Sequence, residues 1–147
     1  MREILFRGKR IDTGAWVEGG FFEWLKSANI VANNIDSRAQ TPWEVDPETV
    51  GQYTGLTDRN GTKIFEGDIL QTRMIGYKGE KKHRFVVKYG EYLPKEYCRS
   101  IYSQYTTIGF YCSNGKGEYQ LSTCSDCFEV IGNVHDNPEL LEGAGTE

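Results

Sequence analysis

Long apolar runs are missing from this chain of 147 residues. No stretch approaches the ~20 apolar residues that a membrane-spanning helix needs, so we expect no membrane partner. The opening Met1–Arg10, MREILFRGKR, is charged within its first three residues and has no sustained apolar segment, which argues against a secretory signal. The prediction is a soluble, cytoplasmic protein.

An excess of positive charge is missing too. The 17 lysines and arginines stand against 21 acids, which gives a net charge of −4 and no broad attraction to nucleic acid. The one basic cluster is the segment Gly76–Arg84, which we interpret as the polar tip of a hairpin. Two interpretations stay open, contact with nucleic-acid phosphates or an ordinary solvated tip, and both concern Lys78, Lys81, Lys82 and Arg84.

Histidine is scarce and catalytic motifs are absent. The two histidines are His83, in the basic tip, and His135, at the end of the last predicted strand. The chain has no phosphate-cradling glycine loop, no GxSxG elbow and no HExxH pair. Catalysis needs convergent groups with matched pKa values. We therefore predict that the protein is not an enzyme, has no catalytic residues and carries no cofactor.

A second closely spaced cysteine pair is also absent. The four cysteines are Cys98, Cys112, Cys124 and Cys127, and a cytosolic setting predicts that they are thiols. Cys124 and Cys127 form one CxxC, half of a zinc knuckle, with Cys112 as a weaker third candidate ligand. Because no matching pair exists, we predict no metal site.

Aromatic residues and glycines are abundant. Aromatics make up 13% of the chain and glycines number 17, which favours strands and turns over long helices. The predicted class is mainly β, or β-rich α+β, in one domain or one domain plus a small subdomain. The clearest predicted strands are Glu3–Arg10, Trp16–Trp24, Val50–Gly55, Ile69–Ile75, Phe85–Tyr89, Thr106–Cys112 and Glu129–His135.

The predicted strand Trp16–Trp24 carries several aromatic rings. Alternation places Trp16, Phe22 and Trp24 on one of its faces. Such rings form part of a core in most proteins, and we expect that here for Trp16, Phe21, Phe22 and Trp24. The alternative is a platform on which the bases or sugars of a ligand stack.

The stretch Val50–Leu70 contains two turn signals. Asn60-Gly61 is the dipeptide that most easily adopts two successive positive φ angles, so it predicts a β-hairpin. Glu66-Gly67-Asp68 predicts a second turn. The carboxylates of Asp58, Glu66 and Asp68 are expected to accept hydrogen bonds from nearby backbone N–H groups. Their spacing is not that of a calcium loop.

Three segments resemble the YopX family of small bacteriophage and prophage proteins. They are the opening Met1–Arg7, the central QYTGLxDxNGxxIxEGDI of Gln52–Ile69 and the closing EVIGNVHDNPELL of Glu129–Leu141. The resemblance implies an SH3-like small β-barrel over residues 50–142, ending in one helical turn. It also implies an N-terminal β-hairpin subdomain over 1–49; residues 143–147 are expected to fray. The family-signature residues, to which we assign structural roles, are Tyr53, Gly55, Asp58, Asn60, Gly61, Glu66, Gly67, Asp68, Gly132, Asn133 and Pro138.

Two functions compete at this point. The first is a non-catalytic protein-interaction or assembly module that self-associates as a homo-oligomer and binds an unknown phage or host protein, because small barrels offer open strand edges. The alternative is a nucleic-acid-binding accessory protein that uses the basic hairpin tip Lys78–Arg84. The resemblance places either one in the cytoplasm of a bacterial host and assigns no activity.

Overall fold

The structure, a computed structural model, describes residues 2–32, 42–76, 79–94, 106–121 and 127–142. The chain divides into two compact units, Met1–Gly55 and Leu56–Glu147, and the division falls inside the stretch that carries the family signature. The tail predicted to fray, residues 143–147, lies outside the described residues.

The first unit is an antiparallel sheet with the strand order β4-β3-β2-β1-β5. A 3₁₀ turn, Pro47–Thr49, stands between β4 and β5, and Asp46 Oδ1 caps it by accepting a hydrogen bond from Glu48 N at 3.0 Å. The strands are β1 (Phe6–Lys9), β2 (Trp16–Trp24), β3 (Ser27–Val31), β4 (Trp43–Val45) and β5 (Gly51–Thr57).

Alternation along these strands builds the core of the first unit. Ala28, Ile30 and Val45 are buried at its centre. Five partly buried side chains pack around them: Phe6, Val17, Phe21, Trp43 and Val50. Beyond the end of β1, Arg10 pairs with Val45 of β4, so the two ends of the four-strand run β1–β4 are joined by backbone pairing.

The second unit contains an antiparallel sheet with the order β10-β9-β8-β7-β11. The short strand β6 precedes it, beside the end of β5, and a 3₁₀ turn at Pro138–Leu140 follows it. The strands are β6 (Lys63–Phe65), β7 (Asp68–Gly76), β8 (Gly79–Tyr92), β9 (Thr107–Ser113), β10 (Glu118–Gln120) and β11 (Phe128–Asn133).

Phe85 lies at the centre of the second core. Its ring meets Tyr119 and Phe128 edge-on, with centroids 5.5 and 6.1 Å apart, an arrangement that aromatic quadrupoles favour. The other buried members are Ile64, Leu70, Val87, Cys112, Leu121 and Phe128.

The mainly β class is confirmed, and the described part of the chain contains 3₁₀ turns but no α-helix. Both sheets are antiparallel and neither is a closed barrel, so the SH3-like barrel stays a prediction. Among the described residues, no helix has the length and apolar character needed to cross a membrane.

Candidate functional site

The carboxylate of Asp58 organises the turn between β5 and β6. Its side chain is buried, at 5% exposure, and its two oxygens serve three backbone donors. Oδ1 accepts hydrogen bonds from Asn60 N at 2.8 Å and Thr62 N at 2.9 Å, and Oδ2 accepts one from Val130 N at 3.0 Å. Burial alone would raise the pKa of Asp58, but these bonds and the nearby Arg59 charge lower it.

The same turn has a different backbone form from the one expected. Asp58 N donates to Thr62 O and Gly61 N donates to Asp58 O, so the connection is five residues long. Gly61 has φ +81°, whereas Asn60 is not left-handed. The expectation of two successive positive φ angles at Asn60-Gly61 is therefore wrong. The physical reason is that the Asp58 carboxylate binds the N–H groups of Asn60 and Thr62 and fixes a longer loop.

This turn also covers the edge of β11. Val130 N donates to Asp58 Oδ2, and Arg59 N donates to Phe128 O at 3.1 Å. The Arg59 guanidinium forms an ion pair with the Glu129 carboxylate beside them. A backbone donor and a backbone acceptor at this sheet edge are thus satisfied within the chain, which leaves less for another strand to pair with.

The second signature turn, between β6 and β7, is fixed by main-chain contacts. Gly67 has φ +85°; its N–H donates to Val87 O and its carbonyl accepts from Val134 N, both at 2.9 Å. The buried Asp68, at 1% exposure, accepts a hydrogen bond from Phe65 N on Oδ2 at 2.8 Å. Glu66 is half-buried. The carboxylates of Asp58 and Asp68 therefore serve backbone N–H groups.

The closing signature segment is a tight turn after β11. Asn133 Oδ1 accepts from His135 N at 3.0 Å and Asp136 N at 2.9 Å. Asn137 packs against Gly132, where an added Cβ would lie only 2.5 Å from Asn137 Oδ1, so that approach requires glycine. Pro138 begins the final 3₁₀ turn.

Two signature residues belong to the first unit. Tyr53 is buried at 8% exposure, and its backbone N donates to Leu5 O at 2.7 Å. Gly55 has φ +86° in the middle of β5.

The basic tip is described only in part. Lys78 and the side chain of Lys81 lie outside the described residues, and Lys82 is exposed. Arg84 is half-buried: its Nη1 donates to Leu140 O at 2.7 Å and its Nε donates to Gln71 Oε1 at 3.3 Å. Arg84 therefore holds the C-terminal turn, a contact that the sequence pattern did not reveal.

The cysteines are not brought together in the described residues. Cys98 and Cys124 lie outside the described residues. Cys127 is exposed, and Cys112 is buried within the second core. Burial raises the pKa of Cys112 to about 12, so this thiol stays protonated at neutral pH. Within the described parts of the chain, no cluster of three or more His, Cys, Asp or Glu residues could hold a metal ion.

The aromatic rings of β2 divide between its two faces. Phe21 points into the first core, with its ring centroid 5.6 Å from that of Phe6. Trp16, Phe22 and Trp24 share the opposite face, where Phe22 is 37% and Trp24 66% exposed. The expectation that these rings belong to the core is wrong for Phe22 and Trp24, because the sheet buries the opposite face of β2.

A second apolar surface, here called the β8–β9 face, consists of Tyr89 of β8 and Ile108 of β9, with Leu93 directly after the end of β8. Tyr89, Ile108 and Leu93 are 57%, 73% and 51% exposed. Tyr89 lies opposite Phe110 in the sheet, with ring centroids 4.9 Å apart. Alternation in the predicted strand Thr106–Cys112 places Ile108, Phe110 and Cys112 on one face, but it does not show that this face continues past the core.

Comparisons with known proteins agree with this architecture. The crystal structure of protein EF1440 from Enterococcus faecalis is similar at 20% sequence identity, with a TM-score of 0.51 over 96% of this chain and 99% of that one; this likeness shows the fold alone. No curated protein matches the chain. The family model described as YopX protein matches residues 5–142, which confirms the resemblance. Because that match spans nearly the whole sequence, the chain belongs to the YopX family.

Proposed function

We propose that this protein is a non-catalytic interaction module that pairs with a second copy of itself through the β8–β9 face. The observation that carries the proposal is the exposure of three large apolar side chains at neighbouring ends of β8 and β9: Tyr89, Leu93 and Ile108. A contiguous exposed apolar surface is typical of sites where proteins bind one another.

The β8–β9 face continues the core side of the sheet. Val87 and Cys112 lie opposite each other and are buried, and the next pair on the same face is Tyr89 and Phe110, followed by Glu91 and Ile108. Exposure therefore rises along the two strands from the core outward, and the charged Glu91 lies beside Ile108 at the exposed end. A partner that covers this end would extend the existing core at little ordering cost, because the strands are already formed.

Pairing through a side-chain face fits the covered sheet edges. In the described residues, Asp58 and Arg59 cover part of the edge of β11. At the other edge, Pro94 pairs with Glu118 of β10, and Leu93 N donates to Glu118 Oε2. Self-association by strand addition at open sheet edges therefore has less support than self-association through a side-chain face.

The absence of catalysis is supported by what the most buried polar groups do. Asp58 and Asp68 are engaged with backbone N–H groups, and the Cys112 thiol is protonated and enclosed by apolar side chains. A nucleophile or general base must instead reach a substrate with a suitable pKa.

We further propose a phage or prophage origin and a role in the cytoplasm of the bacterial host, where a phage or host protein is the other candidate partner. The family supports this setting. We also infer that residues 50–142 form the SH3-like small barrel that the resemblance implies, supported by the five antiparallel strands β10-β9-β8-β7-β11 of the second unit.

Analytical ultracentrifugation over a concentration series tests the self-association. We expect a symmetric dimer, the commonest closed assembly. Ile108→Glu places a charge at the centre of the β8–β9 face and should weaken the dimer more than about tenfold, as loss of a central contact does.

Ile11→Glu is the matched control, because Ile11 is 60% exposed and belongs to the first unit. It should leave the dimer intact. A wild-type protein that stays monomeric up to submillimolar concentration contradicts the proposal, and so does an Ile108→Glu variant that dimerises as well as the control.

A further inference from the structure

The outer face of the first sheet displays aromatic rings beside cations. On β2, Phe22 and Trp24 lie two residues apart on the face away from the core, about 7 Å apart along the strand. Phe22 lies opposite Asn29 and Trp24 opposite Ser27 of β3. The residues opposite these two rings are therefore small and polar.

Positively charged side chains lie at both ends of the row of aromatic rings on β2. At one end, Arg7 and Lys9 of β1 lie over the Trp16 ring, at 4.8 and 5.7 Å from its centroid. At the other end, Lys26 is exposed in the turn that follows Trp24. The acids on this face of β2, β3 and β4 are Glu18, which lies directly opposite Arg7, and Glu44, which lies opposite Asn29. A ligand along β2 therefore meets cations at both ends and rings between them.

The rings are presented on a fixed hairpin. Trp24 pairs with Ser27 across a two-residue turn, and Ser27 Oγ donates to Trp24 O at 2.7 Å. Asn29, buried at 9% exposure, donates from Nδ2 to both Ser27 O and Ser27 Oγ at 3.1 Å. A platform held in this way loses little entropy when a flat ligand group stacks on it.

We propose that this outer face, made of Phe22 and Trp24 with Arg7, Lys9 and Lys26, binds single-stranded nucleic acid. Unpaired bases stack on the Phe22 and Trp24 rings, and the backbone phosphates lie against the three cations. Charge complementarity selects this occupant: a single strand alternates flat apolar bases with anionic phosphates, and exposed aromatic faces with flanking cations are how proteins hold it. The site is separate from the basic tip Lys78–Arg84.

Fluorescence anisotropy of a labelled oligothymidylate of roughly 12 nucleotides at low salt tests the proposal. Trp24→Ala should weaken binding about 5- to 150-fold, the range for loss of one stacked base, and Phe22→Ala should do likewise. Because three cations neutralise phosphates, a plot of log affinity against log salt concentration should have a slope of about −2. Lys9→Ala should make that slope shallower by about 0.7.

Two controls locate the site. Leu25→Ala alters the neighbouring residue, which is 86% exposed but cannot stack, and should leave binding unchanged. The double variant Lys81→Ala, Lys82→Ala should also bind normally. Circular dichroism confirms that each variant is folded.

Several results would overturn the proposal. They are no oligonucleotide binding at low salt, equal binding by the Trp24→Ala variant, loss of binding in the Lys81/Lys82 double variant, or preference for a duplex of the same length. Quenching of tryptophan fluorescence by a neutral oligosaccharide, without any response to the oligonucleotide, would assign the rings to a different ligand class.

Discussion

The turn between β5 and β6 and the turn between β2 and β3 reverse the chain by different means. At Asp58–Thr62 a buried carboxylate binds backbone N–H groups, and glycine occupies the one left-handed position. At Leu25-Lys26 both residues have positive φ, +46° and +69°, with no glycine or asparagine to relieve the strain. The first turn is stabilised by its own residues, whereas the second depends on the strands that flank it.

This difference separates structural residues from displayed ones. The first turn lies in the family signature, and its Asp58 side chain points inward to backbone partners. The second lies outside the signature and exposes Leu25, Lys26 and the adjacent Trp24 ring to solvent. Strained backbone in proteins is concentrated at functional sites. The described signature residues thus have structural roles, and we expect binding at the exposed surfaces outside the signature.

We expect the largest change in stability from removing the carboxylate of Asp58. Asp58→Ala leaves the N–H groups of Asn60, Thr62 and Val130 without their acceptor and should lower the free energy of unfolding by about 3 kcal/mol. Far-UV circular dichroism in urea measures it. Tryptophan fluorescence serves as an internal reference, because Trp16, Trp24 and Trp43 all belong to the first unit. An unchanged transition would contradict the role given to Asp58.

The stabilisation by Asp58 should depend on pH with a definite sign. Its pKa is lowered in the folded protein, so its contribution is complete above the unfolded value of about 3.9 and is lost as pH falls through the folded value. The gap in stability between wild type and Asp58→Asn should therefore close below about pH 4. Asp12→Asn, at an exposed carboxylate whose pKa Arg10 lowers, is the matched control with little effect on unfolding.

The sequence was informative where local chemistry decides the structure. Alternation in Trp16–Trp24 and Thr106–Cys112 identified strands close to the observed Trp16–Trp24 and Thr107–Ser113. A two-residue alternation defines the two faces of a strand but does not show which face the sheet buries. The register of the neighbouring strands was therefore needed to decide whether Phe22 and Trp24 lie in the core or on the surface. The β8–β9 face was not predicted for the same reason, because the sequence does not show where along an apolar strand face the core ends.

The candidate sites show the same limit. Short-range hydrogen bonds of Asp58 follow from turn chemistry, but its bond to Val130, 72 residues away, does not. The hydrogen bond from Arg84 to Leu140 spans 56 residues, so no local sequence pattern predicts it. The left-handed pair Leu25-Lys26 had no sequence signal, because tertiary pairing of β2 with β3 imposes it.

Relieving the strain at the second turn should stabilise the first unit. Leu25→Asn combined with Lys26→Gly places the residues that prefer these angles and should raise the free energy of unfolding by about 1–2 kcal/mol. Tryptophan fluorescence in urea is the measurement. Leu25→Ala alone keeps a side chain with the same backbone penalty and should give no gain. Lower stability in the double variant would show that the Leu25 and Lys26 side chains stabilise the turn.

We expect the smallest change in stability at Gly61, the one left-handed residue of the first turn. An added Cβ would meet nothing within 4 Å, so Gly61→Ala carries only the backbone penalty at φ +81°, about 1 kcal/mol. Gly61→Asn should cost less, because asparagine tolerates this region.

A double-mutant cycle then asks whether Asp58 imposes that angle. Gly61 N donates to Asp58 O, and the Asp58 carboxylate fixes both flanks of the loop. In the Asp58→Ala background the loop is released to relax, so Gly61→Ala should cost clearly less than in wild type, a coupling beyond about 0.5 kcal/mol. Strictly additive effects would mean that the strands, and not Asp58, set the backbone here, and the contrast with the Leu25-Lys26 turn would disappear.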